Sequence, residues 1–286
     1  MRSATKQRIG KMDIKLKPIV KWAGGKTKLL KDIKRLLPED FEDRFYIEPF
    51  LGGASVLLGL KPKRAVVSDA NSNLITLYQT VSSRILGVLD VFSRELEGYQ
   101  EEARYYRVRE LFNGSLTPVD RAAAMLYLNH LSYNGLWREN SKGEFNAPYG
   151  KLGHYPLIDT DNLQHVAGYL GKKDVEIVGG GWDRLKYAMM AYPKTFTYLD
   201  PPYLQFDRKG FMEYTRDGWS LEDLIKMRDY LKNLKGDAKF MLSLNDCEIN
   251  RVLFQDYRVE TVTTRYSINR NGEGRKPVTE LLIMNY

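Results

Sequence analysis

Asp200, Pro201, Pro202 and Tyr203 put a carboxylate, two rigid carbonyls and a flat ring into four consecutive positions, directly after the strand-like run Thr195-Phe196-Thr197-Tyr198-Leu199. Neither proline donates a ladder hydrogen bond and each holds φ near about −65°, so the strand stops there. Asp200 therefore sits at a strand's carboxyl end, where open α/β sheets bind ligands. An accepting carboxylate, a fixed accepting carbonyl and a stacking ring suit a planar base that carries an exocyclic amino group. The competing account is a proline-terminated strand with a core tyrosine. With proline at about 5% of residues, such a four-residue pattern arises by chance in a chain of this length roughly one time in a hundred, which favours the chemical reading.

Three further segments carry chemistry. Tyr46-Ile47-Glu48-Pro49-Phe50-Leu51-Gly52-Gly53-Ala54-Ser55 reads as strand, glycine turn and helix start. Glycine there lets backbone approach a ligand, although a structural turn explains the segment as well. Asp69 ends the next strand about 20 residues on, where an acidic group receives ribose hydroxyls in nucleotide-binding α/β proteins. Lys21-Trp22-Ala23-Gly24-Gly25-Lys26-Thr27 contains Gly-Lys-Thr, but a phosphate loop needs glycine where Val20 stands. It reads instead as a ligand wall, with Trp22 beside a cofactor and Lys26 near a carboxylate. Tyr133-Asn134-Gly135-Leu136-Trp137-Arg138 makes a tight turn and then presents arginine, the residue most often bidentate to guanine. Lys142, Pro148, Lys151 and His154 follow in one loop-rich stretch. A hairpin tip whose aromatics fill the core is the alternative there. Arg270, Arg275 and Lys276 lie in a basic loop that is either a phosphate contact or a solvated turn.

The elements needed to position these groups are legible. Strand patterns run over 45–48, 65–68, 175–178, 195–199, 239–244, 258–264 and 280–284, with helical patterns at 26–37, 54–60, 182–190 and 221–234 between them. Ser220 with Asp223 three residues on is a cap for the last helix. This alternation predicts a mostly parallel α/β sheet covered on both faces, ending in an antiparallel hairpin. From 72 to 162 the alternation breaks: helical stretches at 74–83, 85–96, 101–112 and 118–131 precede a Gly- and Asn-rich passage. We read 1–71 with 163–286 as one core, its first 17 residues a basic arm, and 72–162 as an inserted recognition domain.

Composition narrows the partners. The chain has 286 residues, 43% of them hydrophobic, and a net charge of +8; with 12% aromatics and 19 tyrosines, nucleic acid is a better partner than a membrane surface. Cys247 is the only cysteine, which removes a disulfide framework and a thiolate cluster. His130, His154 and His165 have no metal-ligand spacing, so no metal is expected. No apolar run is long enough to span a bilayer, and residence in the cytoplasm is expected.

The three sites, in this order, resemble the Dam-type (alpha group) DNA adenine-N6 methyltransferases. The resemblance extends to Leu128-Asn129, to Gly143-Glu144-Phe145-Asn146-Ala147-Pro148-Tyr149-Gly150, and to Arg275-Lys276-Pro277-Val278-Thr279-Glu280-Leu281-Leu282. It implies a Rossmann-like sheet of about seven strands, a mainly helical insert with a β-hairpin, S-adenosylmethionine as donor with S-adenosylhomocysteine as product, and an adenine flipped out of double-stranded DNA. It further implies cofactor contacts from Trp22, Ala23, Gly24, Lys26, Glu48, Phe50, Gly52, Asp69 and Asp200, and catalysis by Asp200, Pro201 and Tyr203. DNA contacts are implied for Lys21, Tyr133, Asn134, Leu136, Arg138, Pro148, Lys151, Arg270 and Arg275, with GATC as the target and a monomer as the working form. Lys151 stands where arginine is frequent in that family and cannot make a bidentate fork; Trp137 and Glu139 also depart from it. An ordinary aspartate pKa near about 3.9 suits Asp200 as an acceptor. Methylation of RNA or of a glutamine side chain, and a non-catalytic DNA-binding protein, remain as rivals. Whether a restriction endonuclease accompanies the chain is open.

Overall fold

Alternate residues of each strand separate into two apolar layers, and this sorting builds the fold. In the computed structural model the described residues are 14–96, 98, 101–151, 158–206, 212–213, 219–264 and 278–286. The strands, in chain order, are β1 (Phe45–Glu48), β2 (Ala65–Asp69), β3 (Val175–Gly179), β4 (Lys194–Leu199), the short β5 (Gln205–Phe206) and β6 (Met212–Glu213), then β7 (Asp237–Asn245), β8 (Arg258–Thr264) and β9 (Val278–Met284). All but β5 and β6, which pair with each other, form a seven-stranded sheet in the order β3-β2-β1-β4-β7-β9-β8. The pairs from β3 across to β7 are parallel; β9 is antiparallel to both β7 and β8. The expected strands all appear, and so does the closing antiparallel pair.

The helices are α1 (Leu30–Arg35), α2 (Ser55–Leu60), α3 (Ser72–Val91), α4 (Glu102–Phe112), α5 (Pro118–Leu131), α6 (Thr160–Leu170), α7 (Lys186–Ala191), α8 (Leu221–Lys232) and α9 (Glu248–Leu253). Tyr46, Val67, Phe196, Tyr198 and Met241 face one layer, shared with residues of α2, α3, α5 and α6. Ile47, Val66, Leu199, Phe240 and Leu242 face the other, packed on Leu224, Met227 and Leu231 of α8 and on Phe254. Ser220 and Asp223 close a full capping box at the start of α8.

Two helix expectations need correction. The 26–37 pattern is a 3-10 turn at Lys26–Lys28 followed by α1, because Lys26 is drawn inward by contacts described below. The 182–190 pattern likewise splits into a 3-10 turn (Trp182–Leu185) and α7. In α3 the backbone breaks at Arg84 (φ −138°, ψ 35°), between the two stretches that the periodicity separates. The apolar layer under α3 continues without interruption through Tyr105, Val108 and Phe112 of α4 to Phe145.

β1 has β2 on one side and β4 on the other, so successive strands run outward in opposite directions from this pair. Open α/β sheets bind ligands outside the carboxyl ends of the two strands where the order reverses. The Glu48–Gly52 turn follows β1, and Asp200 follows β4.

Candidate active site

Asp200 is held by a buried cation. Lys26 Nζ lies 2.7 Å from Asp200 Oδ2 and also donates to the Gly24 carbonyl at 2.7 Å. The lysine side chain is only 2% exposed and that of Asp200 19%. Lys26 is anchored from behind, its backbone N–H donating to Ser55 Oγ at 2.9 Å at the start of α2. The same ammonium stands 4.9 Å from the centre of the Tyr203 ring. Pro201 is buried; Pro202 and Tyr203 are half-buried. Burial pushes the Asp200 carboxyl up to about 6, against the pull of Lys26. The ordinary aspartate value expected from sequence is therefore wrong, because the turn withdraws the group from water.

Loops after β1 and β2 form the adjoining wall. Asp69 Oδ2 accepts the Gly52 N–H at 2.7 Å and Oδ1 the Asn71 N–H at 2.8 Å, tying the glycine turn to the start of α3. Asn71 in turn caps α3 through the N–H groups of Asn73 and Leu74. Gly52 has φ +47°, and a Cβ there would stand 3.1 Å from Trp22 Cδ1, so glycine is what lets the indole lie against this turn. Ala23 and Gly24 are exposed beside it. Phe50 meets Trp219 edge to face at 5.5 Å. Glu48 lies deeper, 2% exposed, its Oε2 accepting the Tyr46 hydroxyl at 2.7 Å. Burial pushes that carboxyl up to about 8, with the charges of Asp200 and Asp69 acting in the same direction.

Residues 129–151, with Lys21, build a second surface. Asn134 (φ 53°) and Gly135 (φ 68°) are both left-handed, and the turn closes with Leu136 N–H donating to the Tyr133 carbonyl at 3.0 Å. A Cβ on Gly135 would come within 2.5 Å of Lys21 Cβ, which explains glycine at this position. Lys21 is clasped by the Asn129 side chain at both its backbone N–H (2.7 Å) and its carbonyl (2.8 Å). The hairpin tip itself lies further on, at Asn140–Gly143, between the bridge partners Glu139 and Phe145. On its first arm Arg138 donates from Nε to Asn146 Oδ1 (2.7 Å) and from Nη2 to the Asn146 carbonyl (3.0 Å) while remaining exposed. Tyr133, Leu136, Pro148 and Lys151 are exposed as well, and the Tyr133 N–H donates to the Pro148 carbonyl at 3.0 Å. Arg270, Arg275 and His154 lie outside the described residues.

The structure thus gathers Lys26, Asp200 and Tyr203 into one cluster and places Trp22, Gly52 and Asp69 in the wall next to it. Sequence reasoning missed three participants: Ser55 behind Lys26, Trp137 against Trp22, and Glu280 on the Tyr203 hydroxyl. Only Glu280 had a local signal, being a charged residue at the head of the apolar run Leu281-Leu282-Ile283-Met284.

The D12 class N6 adenine-specific DNA methyltransferase family matches residues 22–268, a span that holds the Lys26, Asp69, Asp200 and hairpin segments together. The chain belongs to this family. As a D12-class N6 adenine-specific DNA methyltransferase it has similar relatives over nearly its full length. One is the Type II methyltransferase M.MjaIII of Methanocaldococcus jannaschii, 35% identical over 96% of this chain and 100% of the relative. Another is the Type II methyltransferase M1.LlaDCHI of Lactococcus lactis subsp. cremoris, 30% identical over 96% and 98%. A third is the DNA adenine methylase of Escherichia coli K12, 33% identical over 94% and 95%. No helix among the described residues of this D12-class enzyme is long and apolar enough to cross a membrane. Among the same residues no group of His, Cys, Asp or Glu is placed to hold a metal ion.

Proposed function

We propose that this enzyme transfers a methyl group from S-adenosylmethionine to N6 of an adenine turned out of double-stranded DNA, within GATC. The observation that carries the reading is Asp200: it stands at the carboxyl end of β4, beside the strand-order reversal, ion-paired to buried Lys26 and next to Tyr203. The donor set fits the cofactor. Carboxylates at Asp69 and Asp200 suit ribose hydroxyls and a cationic centre, Lys26 suits a carboxylate, and the Trp22 indole supplies a flat wall. We assign Ala23, Gly24, Glu48, Phe50 and Gly52 to the same pocket.

When bound, S-adenosylmethionine supplies an electrophilic methyl on a sulfonium. The protein's task is then orientation, which accounts for about 7–11 kcal/mol in well-aligned intramolecular reactions. Adenine N6 is a poor nucleophile because its lone pair is delocalised into the ring. Asp200, with Oδ2 fixed by Lys26, accepts one N6–H through Oδ1, and the Pro201 carbonyl accepts the other. Both bonds favour a pyramidal nitrogen and strengthen as positive charge grows on it. With its pKa near 6, Asp200 then takes the surplus proton more readily than an ordinary aspartate. Tyr203 stacks on the extruded base, a contact worth about 1–3 kcal/mol in single-strand binders.

We assign reading of the duplex to 72–162 and chemistry to 1–71 with 163–286. Lys21, Leu136, Arg138 and Pro148 support the GATC reading; Tyr133, Asn134 and Lys151 border them, and Arg270 and Arg275 are assigned to phosphate contacts. The enzyme acts as a monomer in this reading. Incubation of the protein with unmethylated plasmid and donor, followed by single-molecule sequencing, tests all of this. N6-methyladenine confined to GATC is the expected result; methyl incorporation into RNA or protein instead, or into neither, overturns the proposal.

A further inference from the structure

Tyr203 is tethered at its far end. Its hydroxyl donates to Glu280 Oε2 at 2.6 Å and lies 3.2 Å from Ser243 Oγ, which is itself 3.3 Å from the same carboxylate oxygen. Ser243 and Glu280 are both fully buried. Glu280 reaches this place because β9 is antiparallel to β7: it stands opposite Asn245 at the end of β7, so its early residues come to the sheet edge where β4 runs into Asp200. A carboxylate removed from water is unfavourable unless hydrogen-bonded, and an apolar residue of similar volume serves a strand interior as well or better. Its use here is therefore to be sought in what it holds.

We propose that Glu280, supported by Ser243, is the positioning residue that fixes the Tyr203 ring for stacking against the target adenine. The ring is attached to the chain behind a rigid proline pair, and the hydroxyl bond removes the swing that its side-chain torsions otherwise allow. Lys26 stands over the ring at 4.9 Å. The tether thus fixes the direction of the ring axis and, with it, where the ring lies relative to Lys26. This inference rests on the adenine-methylation reading given above.

The test is a double-mutant cycle under single-turnover conditions, using the full chain with duplex substrate and S-adenosylmethionine. Tyr203→Phe and Glu280→Leu are each expected to slow methyl transfer about tenfold or more, with KM for DNA changed by less than about threefold. The double variant is expected to be no slower than the slower single, because both remove one bond. Glu280→Gln, whose amide oxygen still accepts from the hydroxyl, should stay within about threefold of the parent. Losses that multiply in the double variant, or Glu280→Gln as slow as Glu280→Leu, overturn the inference. Should Glu280→Leu fail to fold, Tyr203→Phe decides: a loss of about tenfold or more with KM for DNA little changed supports the tether, and a rate within about threefold of the parent refutes it. A parent protein that methylates no adenine removes the underlying reading instead, so the two failures are told apart.

Discussion

Trp22 and Trp137 pack with ring centroids 5.9 Å apart and planes inclined by 32°, joining the wall of the active site to the hairpin that carries Arg138. Trp137 Nε1 donates to Glu139 Oε1 at 2.9 Å, and Asn73 Nδ2, in the first turn of α3, donates to the same oxygen at 3.3 Å. Asn71 caps that turn, Asp69 binds the Asn71 and Gly52 N–H groups, and Gly52 abuts Trp22. The contacts close on themselves. Any movement of the hairpin is thereby felt at the wall formed by Trp22 and Gly52.

Trp137→Ala should therefore weaken donor binding although Trp137 is not assigned to the pocket. An aromatic pair is worth about 0.5–1.5 kcal/mol beyond its buried area, so up to about a tenfold rise in Kd is expected. Trp137→Phe should recover most of it. Titration calorimetry with S-adenosylhomocysteine measures both; an unchanged Kd for Trp137→Ala means that the contact transmits nothing.

In the proposed reaction Asp200 accepts N6–H as the ionised carboxylate, and burial raises its pKa to about 6. The single-turnover rate should rise with pH, up to about tenfold per unit below the midpoint, and level off above it. Lys26 lowers that midpoint, so Lys26→Met should move it upward. Asp200→Ala should abolish transfer and leave duplex binding near normal. A flat pH profile in the parent would sink the assigned role.

Glu48 gives a stability signature of the opposite kind from a salt-bridged acid. Its folded pKa of about 8 lies above the ordinary value of 4.5, so its contribution to stability is complete below about 4.5 and fades as pH rises through 8, at up to about 1.4 kcal/mol per pH unit. Glu48→Gln keeps an acceptor for the Tyr46 hydroxyl and removes the titration. Its melting temperature relative to the parent should climb between pH 5 and 8. Parallel melting curves for the two proteins across that range rule the idea out.

Arg138 is exposed yet braced along Asn146, a posture suited to a fixed fork rather than a wandering charge. Arg138→Ala should relax discrimination at one base pair by about 1–3 kcal/mol, read from methylation rates on substrates altered one position at a time. An equal loss on every substrate would make it a phosphate contact.

What the sequence by itself determined was local. The strand expected over 45–48 forms, and its pleat buries Tyr46 and Ile47 in opposite layers. Ser220 and Asp223 announced a cap that forms in full, and Pro201-Pro202 ended β4 where expected. Each depends on neighbours within one turn or one pleat, so residue type and spacing suffice. The tertiary structure alone decided the rest. Lys26 meets Asp200 across 174 residues of chain, Trp22 finds Trp137, and Glu280 reaches Tyr203 only because β9 runs back along β7. The raised pKa of Asp200 follows from the burial those contacts create. Desolvation and pairing depend on distances in space, which residues far apart along the chain acquire only once the sheet has closed around them.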